Sequence, residues 1–138
     1  MDPLEPMLGD HGRGVLATLK ADGRPQLATI DFCYDAGARV ARVSTLDGSA
    51  KVANLRRDPR ASLYVGSADL VSYAVAEGEV EISATAAAPD DATVEELVDV
   101  YQRIQGEHPD WDDYRAAMVR DRRLVLRFMV TRFYGLKR

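Results

Sequence analysis

The chain has 138 residues, 46% of them hydrophobic and 29% charged, which fits one domain that buries a core without a disulfide staple or structural metal and excludes disorder. Its net charge of −4, from 22 acidic and 18 basic residues, argues against a non-specific nucleic-acid binder, which carries a basic surplus. One cysteine, Cys33, and two histidines, His11 and His108, leave no internal disulfide, no cysteine-based zinc site and too few ligands for a histidine metal site.

The first residues, Met1 to Asp10, combine acidic side chains with prolines and lack both a basic n-region and an apolar h-region. No signal peptide is therefore expected. With no run of 18 apolar residues, no membrane span is expected either, and the expected location is cytoplasmic. Gly9-Asp10-His11-Gly12-Arg13-Gly14 precedes a strand where a dinucleotide fingerprint would follow one, so it reads as a flexible entry loop. Val15 to Lys20 reads as a strand, and Asp22-Gly23 marks a hairpin turn into a second strand from Pro25 to Tyr34. That strand does not alternate cleanly, which suggests burial on both faces or a bulge. Asp35-Ala36-Gly37-Ala38 is a second hairpin turn, and Arg39 to Thr45 a third strand.

A short helix follows near residues 48–56, stopped by Asp58-Pro59. Ala61 to Val65 is a strand, and Val71 to Thr85 a long one, in which Gly78 suggests a bulge. A helix near residues 90–105 carries Val94, Leu97, Val98, Tyr101 and Ile104 on one stripe. Thr93 with Glu96 fits a capping box, and Gly106 a C-terminal stop. Residues 110–119 form another helix with Trp111, Tyr114 and Met118 on one side, read as core. Leu124 to Tyr134 is the closing strand, alternating Leu124, Leu126, Phe128 and Val130 with Arg123, Arg127 and Thr131. The fold class is mainly β with appended helices: a small barrel of six to seven antiparallel strands in a single domain, residues 1–138.

No nucleophile elbow, P-loop, zincin or Rossmann motif is present, and no side chain is assigned a catalytic role. Cys33 reads as an inert core thiol and His108 as a turn histidine bonding its neighbours. Ser44 to Arg60, STLDGSAKVANLRRDPR, is different. A hydroxyl-bearing strand end runs into a helix that brings Ser49, Lys51 and Asn54 within two turns. Free N–H groups and the positive end of the dipole suit an anion there, and Arg56, Arg57 and Arg60 extend the positive patch. A capped helix with a solvated basic face is the alternative on spacing alone.

Four segments, taken in order, carry a resemblance that spans about residues 13 to 136. They are Gly14 to Leu19 with Asp22-Gly23-Arg24-Pro25-Gln26; Ala50-Lys51 with Asn54 to Ser62; Ser72 to Gly78; and Gly106 to Arg115. With them the chain resembles the pyridoxamine 5'-phosphate oxidase-like split-barrel superfamily, and within it the actinobacterial branch of F420-dependent flavin/deazaflavin oxidoreductases, the B group. The resemblance implies the FMN-binding type of split barrel and a homodimer with a cofactor site between the two barrels. It also implies hydride transfer from the reduced deazaflavin cofactor F420 to an unsaturated small molecule such as a tetrapyrrole, quinone or conjugated enone.

By position, Lys51 would hold the cofactor phosphate with Asn54 beside it. Ser44 and Thr45 would line the strand under the deazaflavin, Gln26 and Thr29 would reach the ring or linker, and Tyr73 would approach from the partner chain. The cofactor-binding set is thus Gln26, Thr29, Ser44, Thr45, Ser49, Lys51, Asn54 and Tyr73. Relatives often carry Arg at Ser49, Asn at Thr29 and Trp at Val71, so one bidentate phosphate contact and one aromatic wall are missing. The segment before Gly12 is also short where relatives place a covering helix. Two alternatives accompany this reading: an FMN-dependent oxidase or reductase of the same fold, and a non-enzymatic cofactor- or haem-binding protein.

Overall fold

The computed structural model describes residues 2–138. The chain begins with a 3-10 turn, Glu5–Leu8. Then come β1 (His11–Leu19), β2 (Pro25–Asp35), β3 (Val40–Leu46), α1 (Ala50–Arg57), β4 (Arg60–Gly66) and β5 (Tyr73–Ile82). Two helices, α2 (Ala92–Gln105) and α3 (Trp111–Arg120), precede the last strand, β6 (Arg123–Leu136). The six strands close into an antiparallel barrel in the order β1-β2-β3-β6-β5-β4.

Local turn chemistry sets the registers. At Asp22-Gly23 the Lys20 N–H donates to the Arg24 carbonyl at 2.9 Å, and β1 and β2 then pair from Leu19↔Pro25 to His11↔Cys33. In the next turn Asp35 Oδ1 accepts the Ala38 N–H at 3.1 Å. There the ladder is short: β2 and β3 pair only over Cys33–Asp35 against Arg42–Val40. Pro25 to Phe32 therefore has a strand neighbour on the β1 side alone, and the barrel has an open seam.

Alternation fills the inside. Leu16, Ile30, Phe32, Val43, Leu63, Leu126 and Phe128 belong to one buried cluster, as expected where every second side chain points to one face. Val52 and Leu55 of α1 join it, and Leu8 of the 3-10 turn packs in as well. That short N-terminal turn is anchored by a buried pair, with the Tyr34 hydroxyl donating to Glu5 Oε1 at 2.7 Å. Burial, then Glu5, pushes the Tyr34 phenol up to about 12. A second cluster lies outside the barrel, where Val94, Leu97, Tyr114 and Met118 of α2 and α3 cover Val125.

Several expectations need correction. The glycine-rich stretch is no flexible loop: His11 to Gly14 is already β1. At Gly14 an added Cβ would sit 2.5 Å from the Tyr64 carbonyl oxygen of β4, so close strand approach explains that glycine. The α2 cap is Asp91, whose carboxylate accepts the Val94 N–H at 2.8 Å and those of Ala87 and Ala88. Thr93 instead donates to the Ala84 carbonyl, and Glu96 binds Arg127. The long β segment is sheet only over Tyr73–Ile82. β2 is exposed at Leu27 and alternates to Phe32, and only its end, Phe32 to Tyr34, is buried on both faces.

Gly78 does mark a bulge, with the β5–β6 register shifting between Glu77 and Gly78. A Cβ there would collide with the Met129 carbonyl of β6. Gly78→Ala should therefore destabilise the fold by about 2–4 kcal/mol. A denaturant titration reads this as a lowered midpoint with an unchanged slope; an unchanged midpoint would contradict it.

Candidate functional site

The seam opens into a cleft of about 540 Å³. Thr29 to Asp31 of β2 form one edge and Val43 to Leu46 of β3 the other. Val100, Tyr101 and Ile104 of α2, with Tyr114 and Met118 of α3, make an apolar wall. Lys51 and Arg123 bring positive charge to it. A second concavity, about 630 Å³, lies among β1, β4, β5 and β6, and none of the predicted site residues lines it.

Of the predicted set, Thr29, Ser44, Thr45 and Lys51 meet in this cleft. Ser49 is the N-cap of α1, yet its side chain makes no capping bond. Its Oγ is buried without a partner. Asn54 and Gln26 form a different unit. The buried Asn54 amide donates to Thr18 Oγ1 at 3.0 Å and to Gln26 Oε1 at 2.8 Å, and its Oδ1 accepts from Arg57 at 3.1 Å. Asn54 thus ties α1 to β1 and β2 with its amide committed on both sides. Tyr73 begins β5 and stacks on Tyr64 at 5.7 Å, away from this chain's own cleft.

The positive patch is narrower than the sequence suggests. Arg56 pairs with Asp47 at 2.9 Å, and Arg57 donates to the Leu19 carbonyl at 2.8 Å. Arg60 pairs with Asp58 at 2.7 Å and holds that carboxyl down at about 2. These three arginines are consumed by structure. Among the described residues Lys51 has no carboxylate within salt-bridge distance. Burial, then the nearby Arg123 charge, lowers its pKa.

From the sequence Arg123 reads only as a polar alternate of β6. Its Nη1 donates to Ser44 Oγ at 3.3 Å, while its Nε is buried and unpartnered. Two half-buried cations in one cleft, neither with a carboxylate within salt-bridge distance among the described residues, are unfavourable unless an anion normally joins them. The cleft therefore fits a ligand with an anionic group near Lys51 and an apolar body against the α2–α3 wall. Trp111, Tyr114 and Met118 were expected in the core; Tyr114 and Met118 are, but they also face the cleft.

The remaining chemistry-bearing residues are structural. Burial pushes the Cys33 thiol up, which makes it a poor nucleophile. His108 Nδ1 accepts the Asp110 N–H at 2.9 Å, in an aromatic corner with Tyr101, Trp111 and Tyr114. Neither histidine lines the cleft.

Comparison with known proteins agrees with this architecture. The pyridoxamine 5'-phosphate oxidase family profile matches residues 2–137. Among solved structures, one described as an F420 reductase is 24% identical with a TM-score of 0.70, covering 97% of this chain and 98% of that one. A conserved hypothetical protein from Mycobacterium tuberculosis is 25% identical with a TM-score of 0.74, covering 99% of this chain and 85% of that one. A haem-binding protein from Mycobacterium smegmatis is 19% identical with a TM-score of 0.66, covering 96% of this chain and 52% of that one. With a closed six-stranded barrel, a seam beside α1 and a family match along nearly its whole length, the chain belongs to the pyridoxamine 5'-phosphate oxidase family of split barrels.

Proposed function

We propose that the chain is a cytoplasmic, homodimeric F420-dependent oxidoreductase of the B group that reduces an unsaturated small molecule. The observation that carries this reading is Lys51. It faces a hydroxyl-lined cleft with Arg123 as its charged neighbour and, among the described residues, no carboxylate within salt-bridge distance. A solvated lysine gains nothing from the N-terminal end of a helix, whereas a lysine that meets a phosphate there does. Full-length similarity to a structure described as an F420 reductase supports the same cofactor.

When bound, reduced F420 supplies a hydride from its deazaflavin, so the protein contributes position and electrostatics. Lys51 binds the phosphate. Ser44, Thr45 and Thr29 offer hydroxyls along the two strand edges. Asn54 acts at one remove by orienting Gln26. The apolar faces of Val100, Ile104 and Met118 exclude water from the planar ring. Tyr73 of each protomer is read as completing the cleft of the other. An FMN-dependent reaction on the same fold is the second reading, favoured by one observation: Arg123 supplies the second cation that FMN phosphate sites gather.

Lys51→Ala should weaken F420 binding about ten- to a hundred-fold, since a charge-assisted hydrogen bond contributes roughly 1.5–3 kcal/mol. Without cofactor its stability should change by less than about 0.5 kcal/mol. Fluorescence quenching and denaturant titration on the same variant read both numbers, and unchanged affinity would remove the phosphate from this helix. Asn54→Ala should show the reverse balance. Loss of its amide leaves the buried Thr18 hydroxyl without its bond and costs about 2–3 kcal/mol in denaturant. A stable Asn54→Ala protein would contradict its role as the tie. In light scattering the wild-type chain should be a dimer at micromolar concentration, with an interface above roughly 1,000 Å²; a monomer would overturn the shared site.

A further inference from the structure

We propose that Arg123 is the second half of a two-cation phosphate clamp, in which β6 supplies a guanidinium fork opposite the Lys51 ammonium of α1. The inference rests on the reading of the seam as the site of a phosphate-bearing flavin-type cofactor, but not on which such cofactor it is.

Three observations lead to it. First, the nearest arginines on the same strand and turn are already paired. Arg122 binds Asp47 at 2.7 Å, and Arg127 binds Glu81 and Glu96. Arg123 alone of these is without a carboxylate among the described residues. Second, its donors are only partly used. Nη1 reaches Ser44 Oγ at 3.3 Å, whereas Nε is buried with no acceptor. A guanidinium cannot shed its proton to relieve that cost, so a missing acceptor is the simplest account of a buried, idle N–H. Third, the group is rigidly mounted. Arg123 pairs with Leu46 at the end of the β3–β6 ladder, its carbonyl accepts the Ala86 N–H at 2.8 Å, and Ser44 steadies the head.

The chemistry follows from the difference between the two cations. Lys51 is a point charge; Arg123 presents parallel N–H donors that match two oxygens of a phosphate. Ser49 sits at the start of α1 with an unpartnered buried hydroxyl and brings no charge of its own. Fixed geometry for the phosphate therefore falls to Arg123. Its role is binding and positioning, with no part in the chemical step.

The test uses the full chain, the variants Arg123→Gln and Arg123→Lys, and two matched ligand pairs: F420 against its phosphate-free deazaflavin alcohol, and FMN against riboflavin. Dissociation constants come from fluorescence titration, and folding is checked by denaturant titration. Wild type should prefer the phosphate-bearing member of one pair by at least about ten-fold. Arg123→Gln should reduce that preference by about ten-fold or more while leaving the phosphate-free affinity within about two-fold. Arg123→Lys keeps the charge but loses the fork, so it should fold and fall between the two; should Arg123→Gln fail to fold, this variant decides. A preference shown with FMN alone would remove F420 from the account and leave the clamp standing. Equal loss for both members of a pair in the variants, an unchanged preference, or a wild-type chain that binds neither pair or ignores the phosphate would each overturn the clamp.

Discussion

The short ladder between β2 and β3 governs this molecule. Three residue pairs close the barrel on that side, and from Pro25 to Phe32 the second edge of β2 has no strand beside it. Backbone groups left without a strand need partners or water, so such an edge is either solvated, as at Leu27 and Thr29, or covered. Here α2 packs across β2 and β3, and the first turn of α1, a helix seated on β1 and β5, brings Lys51 to the opening. The cleft is what those coverings leave open, and its strand edges, helix start and apolar wall are consequences of the missing ladder.

Two polar networks keep the coverings in place. At the α1 end, Asn54 reaches Thr18 and Gln26 with its amide and Arg57 with its carbonyl, so a buried polar side chain is satisfied while it fixes the helix. At the α2 end, Glu96 receives Arg127 and lies 3.6 Å from Arg42. Arg42 also binds Asp99 at 2.6 Å, and Asp99 accepts from Arg103. The half-buried parts of this chain of charges orient α2 more than they stabilise the fold, because desolvation offsets much of the attraction. Basic residues near the site are thus sorted into those that hold the structure and the two, Lys51 and Arg123, left facing the cleft.

Features encoded locally were legible in the sequence. Asp22-Gly23 and Asp35 to Ala38 announced both hairpins, Gly78 its bulge, and the Val94 to Ile104 stripe the long helix. Ser44, Thr45 and Lys51, which the sequence places around a strand end and the helix start that follows it, line one cleft. Competition between nearby groups misled elsewhere: Asp91, two residues before Thr93, is the N-cap and accepts the Val94 N–H, so Thr93 and Glu96 both lie inside the helix and form no capping box. Arg56, Arg57 and Arg60 looked like an anion patch because Asp47, the Leu19 carbonyl and Asp58 become their partners only in three dimensions. Arg123 was illegible for the same reason, since it meets Ser44 across the β3–β6 ladder from the far end of the chain. Asn54, expected beside the cofactor phosphate, bonds Thr18, Gln26 and Arg57 within the chain, partners that its place in the sequence does not announce.

The most direct test of the account is a parallel titration of the wild-type chain with F420, FMN and haem. The account predicts a colourless preparation that quenches F420 fluorescence in a saturable way and binds F420 more tightly than the other two. A flavin spectrum on the purified protein with no F420 quenching, or a Soret band on adding haem, would contradict it.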